Sequence, residues 1–296
     1  MDKTVVIKPT FDCNFHCWYC TDRRKLHSKL ANRRSLLVSE WETLLKHLFQ
    51  YEFNTLTLSG AEPTLYGHYN KLIEMLSTIP YKNTTLMTNG TNLSYVDVSY
   101  FNYVEISFAD IDKKGFRKNR GRPKAEFEFQ YSSIVKYLKN KRNIAVNCIP
   151  LTQDRLLKLD KILYLSEVLG FDDVNLQPIE GNFNIIPITE KCLKLFKDKI
   201  YNKIPKKFLH HVNTVLPVLE NGLTGIYRSS PCTIPQNQLI ILGNGDVHFC
   251  NIIEYTHEKE GQIDIKRNTL QEMFNKINEF EKTRSRYCYR CPMQLH

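Results

Sequence analysis

Six short β-rich runs alternating with helix-like stretches predict an α/β fold: a partial (β/α)6 barrel followed by a small C-terminal α+β unit. Two observations carry this reading. Alternation of strand and helix implies right-handed crossovers and a mostly parallel sheet. The length, 296 residues, suits one large domain with a small appendage and leaves room for a substantial core. The expected boundaries are 1–185 for the barrel, 186–230 for a bridging segment without an interpretable motif, and 231–296 for the C-terminal unit.

The strands are read as "TVVIKPT", "TLTLSG", "TTLMTNG", "YVEISFAD", "IAVNCIP" and "DDVNLQP". Between them, "SEWETLLKHLFQ", "YNKLIEMLSTI", "FQYSSIVKYLKN" and "LLKLDKILYLSEVLG" have the apolar spacing of amphipathic helices. Strand alternation puts Thr55, Thr57 and Ser59 on one face of the second strand and Glu105 and Ser107 on one face of the fourth. Asn147 and Gln177 are expected to join them on the fifth and sixth. A closed barrel would fill such positions with branched apolar residues, so this polar face predicts a ligand cavity at the carboxyl ends of the strands. Cys148, out of phase with Asn147, is expected to pack against a helix, and Cys192 to lie in a helical core.

The formal net charge is +10, with cations concentrated between Arg23 and Arg34 and in "KKGFRKNRGRPK" from Lys113 to Lys124. An acidic partner follows as an expectation: a phosphorylated small molecule, an acidic peptide or RNA. No run of eighteen apolar residues and no export signal is present, so the expectation is a cytoplasmic protein without a membrane partner. Nine cysteines in a reducing compartment point to metal ligation rather than disulfides. No Walker loop, dinucleotide-binding glycine fingerprint or zinc-hydrolase histidine pair occurs.

Cys13, Cys17 and Cys20 in "FDCNFHCWYC" are separated by three residues and then two. Structural zinc usually takes paired knuckles, which this triplet does not supply alone. A four-iron cluster held by three thiolates keeps one coordination position open. The spacing resembles that of the radical S-adenosylmethionine (SAM) superfamily, whose fold is a partial TIM-like barrel. Several later segments strengthen the resemblance. "SGAEPTL" is similar to the family's Gly-Gly-Glu-Pro segment, with Ala61 in place of the second glycine. "LMTNGT", "ISFAD" and "VNLQPIEG" are similar to the following strand-end segments.

The resemblance implies Cys13, Cys17 and Cys20 as cluster ligands and as the seat of catalysis. Around them it implies a SAM site drawn from Tyr19, Gly60, Glu62, Asn89, Ser107, Arg120, Asn147 and Gln177. Glu62 would receive the SAM ammonium, Ser107 would meet its ribose or carboxylate, and Arg120 would neutralise the carboxylate. His16 and Trp18 are read as loop packing.

In the last third, Cys232, Cys250, Cys288 and Cys291 form a second set, with "LIILGNGDVHFCN" reading as a hairpin and "LQEMFNKINEFEK" as a helix. Four thiolates suit either a structural zinc or a fully ligated four-iron cluster. The set resembles the twitch domain, a short relative of the SPASM domain, and that resemblance implies an auxiliary [4Fe–4S] cluster.

The implied activity is reductive cleavage of SAM to a 5′-deoxyadenosyl radical, followed by hydrogen abstraction from a substrate carbon. An electron donor such as flavodoxin or ferredoxin would supply the electron. Peptide modification, oxidation or crosslinking heads the expectations. Dehydrogenation or epimerisation of a sugar or aminocyclitol, and modification of RNA or a nucleotide, are the alternatives. The chain ends "CPMQLH", without the glycine-rich tail of the molybdenum-cofactor cyclase. From outside enzymology, a zinc-stabilised RNA-binding protein would use the basic segments near Phe116, Phe127 and Phe129 to hold phosphates and stack bases. It would not account for the three-cysteine loop and the strand-end motifs.

Overall fold

A computed structural model describes residues 3–20, 35–122, 125–178, 188–220 and 237–248, together with position 272. Six strands lie side by side in chain order: β1 (Lys3–Lys8), β2 (Phe53–Leu58), β3 (Asn83–Thr88), β4 (Tyr103–Ile106), β5 (Ile144–Leu151) and β6 (Asp173–Pro178). Every pair among them is parallel. The crossovers contain α1 (Val38–Gln50), α2 (Tyr69–Leu76), α3 (Lys113–Arg120), α4 (Ala125–Asn140), α5 (Gln153–Leu156) and α6 (Leu159–Leu169).

Parallel strands need cover, and the sequence supplies it on one face. Val5, Ile7, Leu56, Leu58, Leu86, Val104, Ile106 and Ala145 meet Trp41, Leu45 and Leu48 of α1, Leu72 and Leu76 of α2, and Ile134 of α4 in one apolar cluster. Each such leucine contributes about 2 kcal/mol by leaving water. A second cluster joins Ile149, Leu151, Val174 and Leu176 to Leu159, Ile162 and Leu163 of α6. It extends to Cys192, Leu193 and Phe196 of α7 (Glu190–Lys199) and to Val212 and Val215 of α8 (Leu209–Glu220). Cys192 is thus in a helical core, as expected. The described part of the supposed bridge is therefore a helical layer over β5 and β6. α7 starts where Thr189 Oγ1 accepts from the Cys192 amide at 3.2 Å.

The expected hairpin is present as β7 (Gln238–Leu242) and β8 (Val247–His248), antiparallel to each other. β7 pairs in parallel with β1, so the barrel sheet gains two strands on that edge. The apolar run Leu239–Leu242 accounts for this, since all four side chains are buried in the enlarged sheet.

Register separates the two faces of the sheet. Thr57 lies beside Thr85, Met87 beside Glu105, Glu105 beside Val146, Cys148 beside Asn175 and Pro150 beside Gln177. In parallel pairing, partners share a face. The face away from the apolar helix layer therefore carries Thr55, Thr57, Thr85, Glu105, Asn175 and Gln177, with Val6, Met87, Val146, Cys148 and Pro150 among them. This corrects two expectations on β5. Ala145, Ile149 and Leu151 face the helices and carry Asn147 with them, while Cys148 turns to the polar face. Asn147 is fully buried, donates to Ser166 Oγ of α6 at 2.8 Å and accepts from the Phe108 amide at 3.2 Å. It is a strand-to-helix tie and not part of a ligand cavity.

Gly90 ends the β3 turn at φ +82°, and a Cβ there would sit 2.8 Å from Ile134 Cγ1 and 2.9 Å from Ile106 Cγ2. Gly90→Ala combines a left-handed backbone with a clash in the core. We expect it to lower unfolding free energy by about 2 kcal/mol or more, read as a drop in the urea midpoint at unchanged m-value.

Candidate active site at the carboxyl end of the sheet

The chain leaving β1 forms a loop with Cys13, Cys17 and Cys20, all half-buried. Three neighbouring segments grip it. Asp12 C=O accepts from the Glu62 amide at 2.9 Å. Asn14 donates to Thr91 Oγ1 at 2.9 Å and accepts from Asn89 Nδ2 at 2.7 Å. On the far side α3 holds the loop. His16 N–H donates to Arg120 C=O at 2.7 Å, and Trp18 Nε1 donates to Asn119 Oδ1 at 3.2 Å. Phe15 meets Phe116 edge-on at 5.3 Å. Trp18 is therefore more than packing. Gly121 closes α3 at φ +63°, where a Cβ would lie 2.9 Å from the His16 carbonyl oxygen.

The sulfurs lie among hydrogen-bond donors. Cys13 Sγ accepts from the Phe15 amide at 3.3 Å and faces Asn89 Nδ2 at 4.0 Å, while Cys17 Sγ is 3.5 Å from Arg120 Nη1. Burial pushes the bare Cys13 thiol up to about 12, with Glu62 adding to the shift and the Phe15 amide opposing it. A thiolate there calls for a bound cation. Three thiols on one short loop, with donors aimed at two of the sulfurs, fit the thiolate ligation of an iron–sulfur cluster.

Arg120 belongs to a buried charge network. Asp110, 5% exposed, accepts from Arg120 Nε at 3.1 Å, from Asn119 Nδ2 at 2.6 Å and from Arg155 Nη2 at 3.3 Å. Arg120 also donates to the Ser107 carbonyl at 2.8 Å. Arg155 donates to the Pro150 carbonyl at 3.0 Å and to Tyr19 Oη at 3.1 Å, and its guanidinium lies 4.8 Å from the Tyr19 ring centroid. Burial raises the Asp110 pKa, but Arg155 and Arg120 outweigh it and hold the carboxyl below the ordinary 3.8. Two guanidiniums against one carboxylate leave one positive charge beside Cys17.

Glu62 is 1% exposed. Its Oε1 accepts from Thr64 Oγ1 at 2.6 Å, the Thr64 amide at 3.2 Å and Thr88 Oγ1 at 2.7 Å, while Oε2 accepts from the Asn89 amide at 2.7 Å. Desolvation still raises its pKa, with these bonds opposing the rise. Gly60 precedes it at φ +124°, with the Lys8 backbone close by. Glu52 alone among described non-glycine residues has positive φ, so Ala61 fits its backbone without strain.

The structure gathers Cys13, Cys17, Cys20, Tyr19, Gly60, Glu62, Asn89, Ser107 and Arg120 at one end of the sheet. Gln177 stands on the polar face of β6, and Asn147 is on the opposite face. Cys232, Cys250, Cys288 and Cys291 lie outside the described residues. Sequence reasoning missed Asp110, Asn119, Gln130 and Arg155. Asp110 is the last residue of the quoted "ISFAD" segment and could have been found there. Gln130 donates to the Asn89 carbonyl at 2.6 Å from 41 residues away, and Arg155 reaches Tyr19 across 136 residues, without a local signature.

This site matches the comparisons with known proteins. The Radical SAM superfamily profile matches residues 7–156, and that of SPASM, an iron–sulfur cluster-binding domain, matches residues 232–292. The chain is a SAM-dependent iron–sulfur enzyme and belongs to the radical SAM superfamily. Its cofactors are SAM, a SAM-binding [4Fe–4S] cluster and an auxiliary [4Fe–4S] cluster. It is similar to a probable GTP 3′,8-cyclase of Sulfurisphaera tokodaii, 26% identical over 91% of this chain and 88% of that protein. A second probable GTP 3′,8-cyclase, from Methanococcus aeolicus, is 25% identical over 69% of this chain and 67% of its own length.

Among solved structures, Streptococcus suis SuiB bound to SAM aligns with TM-score 0.63 and 14% identity, covering 92% of this chain and 65% of SuiB. The enzyme anSMEcpe with bound SAM aligns with TM-score 0.62 and 21% identity over 94% of this chain and 79% of its own. These alignments show the shared partial barrel. No helix among the described residues is long and apolar enough to cross a membrane.

Because the Asp110 pKa is lowered in the folded chain, its stabilisation is present above about pH 4 and is lost as pH falls through the lower folded value. Asp110→Asn leaves two buried guanidiniums without their counter-charge. It should cost about 3–5 kcal/mol at pH 7, and the gap to wild type should narrow below pH 4. Urea unfolding of the metal-free protein, followed by tryptophan fluorescence, checks both.

Proposed function

We propose that this enzyme reductively cleaves SAM at the Cys13/Cys17/Cys20 loop and directs the product radical to a C–H bond of a peptide lying on the polar face of the barrel. The observation that carries this reading is a clamped three-cysteine loop at the carboxyl end of a sheet whose face away from the helix layer carries Thr55, Thr57, Thr85, Glu105, Asn175 and Gln177. SAM and the reduced cluster supply a 5′-deoxyadenosyl radical; the chain supplies position and a dry setting. The three cysteines act as cluster ligands. Arg120 offsets the negative charge of Cys17. Its nitrogens already serve Asp110, the Ser107 carbonyl and Cys17, which favours that role over binding the SAM carboxylate. Glu62, its carboxylate fixed by four donors, would receive the SAM ammonium. Tyr19, Asn89, Ser107 and Gln177 complete the walls. Cys232, Cys250, Cys288 and Cys291 hold the auxiliary cluster.

The neutral hydrogen-bonding groups Thr55, Thr57, Thr85, Asn175 and Gln177, with Glu105 between them, suit the amide donors and acceptors of a peptide. A nucleotide is the second reading, favoured by the 26% identity to a probable GTP 3′,8-cyclase across 91% of the chain. The two are separated by adding either GTP or a pool of synthetic peptides to the reduced enzyme and measuring 5′-deoxyadenosine. We expect stimulation by peptides, accompanied by a mass change in one of them, and none by GTP. Stimulation by GTP alone with a new nucleotide product would replace the first reading with the second.

A further inference from the structure

Helix α3 has two faces. Its inner side, Phe116, Asn119 and Arg120, is buried and grips the cysteine loop through the contacts described above. Its outer side presents Lys113, Lys114, Arg117 and Lys118, all exposed. Among the described residues, three acids flanking this helix are already engaged. Glu128 pairs with Lys113, Glu126 with Arg122 at 2.8 Å, and Asp112 caps the helix by accepting from the Gly115 amide at 2.7 Å. Among the described residues, Lys114, Arg117 and Lys118 make no ion pair.

Helix stability does not explain this arrangement. Cations favour a helix C-terminus, which suits Arg117 and Lys118, but Lys113 and Lys114 occupy the first turn, where the helix dipole repels them. Four cations in six residues, two of them at the unfavourable end, form a charged face on which the Lys113–Glu128 contact is the one ion pair among the described residues. From that face the path to Cys17 crosses one helix, about 10–12 Å with side chains, and ends on Arg120 Nη1, 3.5 Å from the sulfur.

We infer that the outer face of α3 is the docking surface of a small acidic one-electron carrier protein. This rests on the assignment of the SAM-binding cluster to Cys13, Cys17 and Cys20. The carrier gives up one electron, the cluster goes from its 2+ to its 1+ state, and no proton moves or bond forms in that transfer. Complementary charge gives such an encounter speed rather than strength, so the effect is expected in the association rate and in its salt dependence. An interface of this kind is small and transient.

The test follows SAM cleavage by the reconstituted two-cluster enzyme with two reductants in parallel, dithionite and a chemically reduced acidic [2Fe–2S] ferredoxin. Lys114→Glu/Arg117→Glu/Lys118→Glu should lower the second-order rate with ferredoxin about tenfold or more and flatten its salt dependence, leaving the dithionite rate unchanged. The corresponding triple glutamine variant should fall between. An unchanged ferredoxin rate in the glutamate variant overturns the inference. So does an equal loss with both reductants, which would assign the face to substrate binding or to folding. If wild type cleaves no SAM even with dithionite, the assignment of the loop fails first and the docking inference with it.

Discussion

Asp110, buried between two guanidiniums, is the contact on which the site depends. It stands just past β4, and its carboxylate draws together Arg120 from the end of α3 and Arg155 from the short helix after β5. Each arginine then continues to the cysteine loop, one to Cys17 and the other to Tyr19. A buried ion pair of this kind adds little net stability against an apolar alternative, and removing one member is expensive. Its use is positional: loops from three parts of the chain are locked at one height above the sheet. The surplus positive charge lies where cluster ligation would add negative charge.

The sheet makes this arrangement possible by dividing its faces. Branched apolar residues on the helix side contribute the hydrophobic stability, which leaves the other side free to be polar. Glu62 illustrates the cost of keeping charge there. Four donors surround a carboxylate whose pKa burial raises, and two of those donors, Thr88 Oγ1 and the Asn89 amide, come from the end of the next strand. The acidic residue of the second strand's turn therefore also fixes the third strand's turn. Gly60 and Gly90 keep both turns tight enough for that contact.

Much of this was legible in the chain. The six parallel strands, the three-cysteine loop and the strand-end turns are local signals, written within ten residues each. The resemblance of those segments to one superfamily put them in order. The fifth strand shows where local reading ends. Asn147 and Cys148 are correctly out of phase, but which of them meets the helices is decided by Ala145, Ile149 and Leu151 together, and by Ser166 on α6 waiting as a partner. A polar residue can be buried on the apolar side when one hydroxyl and one amide satisfy it. Arg155 was invisible for a related reason, since its side-chain partners Asp110 and Tyr19 lie 45 and 136 residues away. The addition of β7 to the sheet beside β1 likewise depends on an unpaired edge that only the assembled sheet reveals.

The central claim is that the clamped loop of Cys13, Cys17 and Cys20 is the place where SAM is cleaved. The most direct measurement is anaerobic reconstitution with iron and sulfide, then iron counting and 5′-deoxyadenosine formation under dithionite, for wild type and for the Cys13→Ala/Cys17→Ala/Cys20→Ala variant. The account predicts about eight irons and product from wild type, about four irons and no product from the variant. Equal product from both proteins, or a wild type that takes up zinc and forms none, would contradict it.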